Sequence, residues 1–283
     1  MVTAHENAQP QILVPPKIAP QTMRLSQVHI KGPGDDGLDA LIRRQTAQKP
    51  DEKRKVKVVG ENKFGNLLRR YELFLGRKNY FIKNKEILDG IEDVLTVEDI
   101  NAFLQLTVGF EDYEKDYSRG TSRFINRLIQ NSYNAGYNNF VLNTIVLSKK
   151  LDHFGENFCG LPYRMISVQI DGDIGVNCGM NAFCSSFTIN GNANSCCGYK
   201  IYNSIITVKG DVGNWFGFGA KYSSFTINEG VNTDNYTDDT IGCTFKTQNP
   251  KTLDKLLEYF QKNKSHKFYL IHPDGTEELK RAD

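Results

Sequence analysis

No stretch of this chain approaches 18 consecutive apolar residues, so no membrane-spanning helix is expected. Charge of either sign is not in excess. Thirty-five Lys and Arg against 33 Asp and Glu leave a formal +2, which makes no global case for nucleic acid as a partner. No two of the six cysteines form Cys-x-x-Cys, so the ligand spacing of a zinc site is missing and no metal or other cofactor is expected. A Gly-x-Ser-x-Gly nucleophile elbow is also absent. The first 20 residues lack the basic-then-apolar layout of a secretory signal. They hold four of the nine prolines (Pro10, Pro15, Pro16 and Pro20) and read as an extended arm, residues 1–20.

What the chain does have is a glycine phrase in register with itself. Gly172-Asp173-Ile174-Gly175 is followed by Gly179, and Gly210-Asp211-Val212-Gly213 by Gly217. Midway between them Gly191 and Gly198 keep the same 19-residue step, with Asn194 in the middle-glycine column. Self-similarity at a short fixed period marks a solenoid. The segments between the glycines alternate. Val168, Phe187, Ile206 and Phe225 form one apolar column, and Ile170, Ile189, Val208 and Ile227 a second on the same face. Gln169, Thr188, Thr207 and Thr226 face the other way. A coil this short turns sharply several times, which explains the glycines as corners. A phosphate-cradling role would need a helix after each phrase, and no helical pattern follows either.

The register extends outward. Cys159-Gly160 precedes Cys178-Gly179 and Cys197-Gly198 at the same step. Residues 144–151 are expected to supply an earlier strand and 241–247 a later one, for five or six coils in all. The cysteine column reads as free thiols beside the apolar columns, in a reducing, cytoplasmic setting. Disulfides between stacked members are the alternative.

The spacing Gly-x-x-Gly-x-x-x-Gly, with Asp after the first glycine, resembles the C-terminal domain of glutamate synthase large subunits. It is similar also to a β-helix in the C subunit of formylmethanofuran dehydrogenase. The likeness covers roughly residues 145–247. It implies a β-helix with a structural role, packed between catalytic domains. Nothing in the chain resembles the amidotransferase, flavin or iron–sulfur parts, so no glutamate synthase activity is implied.

Residues 21–140 read as mainly helical. Leu67, Leu68, Tyr71, Phe74 and Leu75 recur at helical spacing over about 62–76. Thr96 with Glu98 and Asp99 opens a second helix, and Thr121 a third that ends near Gly136. The turn Gly32–Gly37 precedes a short helix over 38–44. Charge is segregated here: Lys49–Lys85 holds 12 basic and 4 acidic residues, a net of +8, and Glu86–Asp116 holds 1 basic and 10 acidic, a net of −9. Either the two segments neutralise each other or they dock partners, with Lys53, Arg54, Lys55 and Lys57 as the candidate basic patch. Beyond the solenoid (141–248), Asn249-Pro250 leads an amphipathic helix, and Lys267–Ile271 a strand. Residues 249–283 thus form a C-terminal cap.

The expectation is therefore a helical N-terminal region followed by a short, single-stranded, right-handed parallel β-helix with a capping helix. Its function reads as a scaffold or adaptor that binds a protein partner or a second copy. The alternative is an enzyme or accessory subunit acting on glycans at the solenoid face, where Asp171, Asn190, Lys209 and Asn228 line one column and Asp173, Asn192 and Asp211 another. Those Asp and Asn are equally the residues that serve turns.

Overall fold

The computed structural model describes residues 61–76, 83–112, 116–232, 239–260 and 265–282. The Pro-rich arm, the Gly32–Gly37 turn and the helix expected over 38–44 lie outside the described residues. Among the described residues four helices come first: α1 (Glu61–Leu75), α2 (Lys83–Asp89), α3 (Val97–Thr107) and α4 (Tyr117–Asn134), with a 3-10 turn at Val108–Phe110. Then come β1 (Asn139–Asn143), β2 (Ile166–Asp171), β3 (Ser185–Ile189), β4 (Ile205–Val208), β5 (Ser224–Ile227) and β6 (Thr244–Thr247). α5 (Pro250–Tyr259), β7 (Lys267–Ile271) and β8 (Glu277–Ala282) complete the order.

The helices form where the sequence places capping and apolar signals. Thr96 caps α3 by accepting the Asp99 N–H at 3.2 Å, and Asn249 caps α5, whose first residue is Pro250. α4 begins at Tyr117, four residues ahead of the expected Thr121 start, because buried Tyr117 belongs to its inward face. The helical core centres on Tyr71. Its ring meets Phe103, Phe110 and Phe124 edge-on at 5.8, 5.3 and 5.1 Å, and its hydroxyl lies 2.6 Å from that of Thr121.

The eight strands among the described residues make one sheet in sequential order, parallel from β1 to β7, with β8 antiparallel at the end. This is a parallel β-solenoid of about five turns across 166–270. Ile166 pairs with Ser185, Ser186 with Ile205 and Ile205 with Ser224, a step of 19 each time. The step grows to 20 at Ser224–Thr244 and to 23 at Thr244–Lys267. Phe187, Ile206 and Phe225 stack inward, continued by Phe245 and Phe268, while the Thr column faces out. Ring stacking at 5.2 Å (Phe225–Phe245) and 5.3 Å (Phe245–Phe268) follows from strand spacing. Each such buried side chain contributes about 1.5–3 kcal/mol by transfer from water.

Two expectations about the first coil are corrected. Its strand is 139–143 and not 144–151. Phe140 and Leu142 point inward there, whereas Ile145 and Val146 are exposed on a turn. Nor do Cys159 and Gly160 belong to the Cys178–Gly179 column. The Gly179 N–H bonds Phe154 C=O, as Gly198 bonds Cys178 and Gly217 bonds Cys197, so the true equivalents are Phe154 and Gly155. Asn139 pairs with Ser167, a step of 28, and a small excursion closed by the Leu161–Arg164 bridge takes up part of the extra length. The coincidence of 19 at Cys159 is a by-product of that insertion.

Both ends of the solenoid are covered. α3 lies against β1, where Asn101 Oδ1 accepts the Asn143 N–H and Gln105 Nε2 donates to the Asn143 carbonyl, each at 2.8 Å. At the other end α5 packs on β6 and β7 and buries Leu253, Leu256 and Phe260. Phe260 stacks on Phe245 at 4.3 Å. β8 extends the cap beyond the expected strand, and its Glu277, Glu278 and Lys280 charge the sheet's last edge against further pairing.

Candidate functional site

The basic patch Lys53, Arg54, Lys55 and Lys57 lies outside the described residues, so the candidate site is built from the solenoid surfaces. The glycines nominated as structural fall into two groups. Gly179, Gly198 and Gly217 form a left-handed column with φ of 68°, 72° and 64°. Gly175, Gly191, Gly210 and Gly213 have no positive φ; there, stacked coils leave no room for a Cβ. At Gly191 an added Cβ would lie 2.5 Å from the Gly172 carbonyl oxygen. Gly172 combines both demands, with φ of 125° and the Thr144 hydroxyl 2.6 Å from where its Cβ would be. Asn194 thus occupies a close-approach column and not a left-handed corner.

The polar columns nominated for chemistry hold coils together. Asp173 accepts the N–H of Asn192 at 2.8 Å, Asn192 accepts that of Asp211 at 2.8 Å, and Asp211 accepts that of Gly230 at 2.7 Å. Each bond spans one coil, so the Asp and Asn side chains serve the next turn's backbone. Asp173 is also paired with Lys150 at 2.8 Å, and this contact, with help from Asn192, holds its carboxyl below the usual range. Asn190 Nδ2 donates to Asp171 Oδ1 at 2.5 Å, while Lys209 is exposed. Inside, the serine column is a second ladder. Ser204 Oγ accepts the Ser185 N–H at 3.0 Å and Ser223 Oγ accepts the Ser204 N–H at 3.2 Å.

All six cysteines are free. Cys178 and Cys197 are buried in adjacent coils, and contact with Cys197 together with burial pushes the Cys178 thiol well up. They are inert packing groups. Cys159 is exposed and bridges Phe183 of the next coil, just ahead of the excursion.

One surface feature escaped the sequence reading. Phe183 and Tyr202 stack at 5.5 Å, and Tyr222 meets Tyr202 edge-on at 5.6 Å. A second row runs beside it: Tyr199 stacks on Phe218 at 5.4 Å, and Trp215 leans on Phe218 at 5.3 Å. A cleft of about 650 Å³ opens nearby, lined by Lys200, Tyr202, Lys221, Asp239 and Ile241. The Lys200 ammonium sits 5.3 Å from the Tyr199 ring, and its stem lies over Gly219. Tyr202, Trp215, Tyr222 and Ile241 are 41%, 40%, 58% and 41% exposed, an apolar band across neighbouring coils. Trp215 and Tyr222 hold left-handed φ of 62° and 52°, in columns where the preceding coils carry Asn177 and Cys196, and Cys184 and Asn203. Bulky side chains are unfavourable in that region. The signal was present in the sequence, since Phe183 to Tyr202 and Tyr199 to Phe218 are 19-residue steps.

Among the described residues no group of three His, Cys, Asp or Glu is placed to hold a metal ion, and no helix is long and apolar enough to cross a membrane. The chain matches no family model, no curated protein and no solved structure.

Proposed function

We propose that the chain is an interaction module, a scaffold or adaptor whose solenoid presents the Tyr202–Trp215–Tyr222 band to a protein partner. The observation that carries this reading is the band itself: exposed aromatics on adjacent coils, two of them in left-handed positions that disfavour bulky residues. Interface centres are enriched in Tyr, Trp and Phe, with charge at the rim. Lys200 and Lys221 supply that rim, with Asp239 as its one acid among the described residues, so the partner segment is apolar at its centre and mainly acidic at its edge. The six free thiols favour a reducing, cytoplasmic setting. Kinship with the glutamate synthase β-helix domain is part of the same proposal, supported by the 19-residue step. The glycan-active alternative has less support, because Asp171, Asp173 and Asp211 each bond a neighbouring coil, although Lys209 stays exposed.

The test is isolation of the full chain from its native source beside a Tyr202→Ser/Tyr222→Ser variant. A defined partner held by the native chain and lost by the variant, with unchanged thermal unfolding, is the expected result. Partner retention by the variant overturns the assignment of the face. Light scattering on the purified chain separates a second copy from a different protein.

A further inference from the structure

α4 carries Arg119, Arg123 and Arg127 at steps of four, so the three side chains share one helix face. That face lines a cleft of about 530 Å³ with Glu156 and Phe158 of the first coil opposite and Leu88 and Asp89 at the end of α2, so three arginines face two carboxylates. Arg127 is occupied: it donates to the carbonyls of Ile91 and Asp89 at 3.4 Å. Arg119 is not. Its Nε is buried and has no hydrogen-bond partner among the described residues. Arg119 and Arg123 both act on the Glu156 carboxylate through space, yet the group nearest to it is His153, whose Nδ1 lies 3.2 Å away. That imidazole first, and the two guanidiniums after it, hold the Glu156 carboxyl below its ordinary value.

Three guanidiniums stacked along one helix repel each other, and a buried N–H without an acceptor is costly. A doubly charged tetrahedral anion relieves both. Guanidinium forks match phosphate oxygens two at a time, and a phosphate has enough oxygens for two forks at once. The cleft has the volume of a small-molecule site, with an apolar wall at Leu88 and Phe158.

We propose that this cleft binds a small phosphate-bearing molecule through Arg119 and Arg123, with Glu156 accepting a hydrogen bond from a hydroxyl of the same ligand. The site is separate from the aromatic band, so it stands whether or not that band docks a protein.

Isothermal titration of the full chain at fixed ionic strength tests it, with inorganic phosphate, ribose 5-phosphate and sulfate as probes. Saturable 1:1 binding is expected, with ribose 5-phosphate tighter than inorganic phosphate. Arg123→Gln should weaken both by about tenfold to a hundredfold, the loss of one charged hydrogen-bonding group. Arg119→Lys keeps the charge and loses the fork, so it should weaken them less. Lys209→Gln, on the exposed solenoid face, should change nothing. Glu156→Gln should tighten inorganic phosphate and reduce the preference for ribose 5-phosphate. If Arg123→Gln does not fold by circular dichroism, Arg119→Lys decides. No saturable binding overturns the proposal, as do equal affinities for all three anions or affinities indifferent to both arginine changes. An unchanged preference in Glu156→Gln removes Glu156 from the site.

Discussion

Gln130 of α4 binds both backbone groups of Cys159 in the first coil: its Oε1 accepts the N–H at 3.1 Å and its Nε2 donates to the carbonyl at 3.2 Å. One helical turn earlier Asn126 does the same across two residues, accepting the Gly155 N–H at 2.8 Å and donating to the His153 carbonyl at 3.0 Å. With Asn101 and Gln105 of α3 on Asn143, four amide side chains supply the hydrogen bonds that a preceding coil would have made. Solenoids need such ends closed, and buried backbone groups need partners.

Asn126 is the buried member of this set. Asn126→Ala leaves the Gly155 N–H and the His153 carbonyl without partners, at a cost of about 1–3 kcal/mol. Gln130→Ala opens a site that water reaches, and should cost less than about 1 kcal/mol. Urea unfolding midpoints of the two variants check the order; equal losses would mean that the helix packs on the coil without these bonds.

The serine column makes a related prediction. Ser204→Ala removes the acceptor of the buried Ser185 N–H and the donor to the Tyr202 carbonyl. The expected loss is about 1–3 kcal/mol. Ser204→Cys should recover much of it, because Cys243 already stands in that column with its Sγ 3.4 Å from the Ile241 carbonyl oxygen. Thermal unfolding of both variants decides this, and a cysteine variant no better than alanine contradicts it.

The regular coils were legible because each 19-residue step repeats the same steric demand, so Phe187, Ile206 and Phe225 announce their neighbours. The first coil was not. Its 28-residue step hides the register, and Gly160 mimics Gly155 by coincidence. The capping amides were also illegible, since Asn126 and Gln130 look like ordinary polar helix residues until a coil edge is placed beside them. Arg119, Arg123 and Arg127 show their spacing in the sequence, but the cleft they line exists only once α4 meets the first coil. Left-handed positions are filled by Cys184, Cys196 and Lys200 as well as by Gly and Asn, and the two largest side chains that hold them, Trp215 and Tyr222, lie on the proposed docking face.

Two glycines should respond to alanine with opposite signs. At Gly210 a Cβ would stand 2.3 Å from Asn192 Oδ1 and 2.9 Å from the Gly191 carbonyl oxygen. Gly210→Ala therefore forces coils apart, at a cost of roughly 1–3 kcal/mol. At Gly65, inside α1, nothing lies within 4 Å. Gly65→Ala should stabilise by about 0.5–1 kcal/mol through helix propensity. Denaturant titration of the pair settles whether the solenoid glycine is there for space.

The last prediction concerns acid. Asp173 links Lys150 in the first coil to the Asn192 N–H one coil on, and the lysine contact is the main reason its carboxyl titrates low. A carboxyl that holds its proton less tightly when folded favours the folded state only while it is ionised. That contribution is complete above the unfolded value, about 3.9, and is lost as pH falls through the lower folded value. Native stability should therefore decline below about pH 4. Asp173→Asn should be less stable than the native chain at neutral pH, and the gap between them should close as acid removes the charge. Lys150→Met should flatten the same stretch of the curve by returning the Asp173 carboxyl toward its ordinary range. Unfolding free energies measured from pH 7 down to pH 2 would show this. A gap between native and Asp173→Asn that stays constant across that range would mean the carboxylate acts only as a neutral acceptor between coils, with its charge irrelevant to the fold.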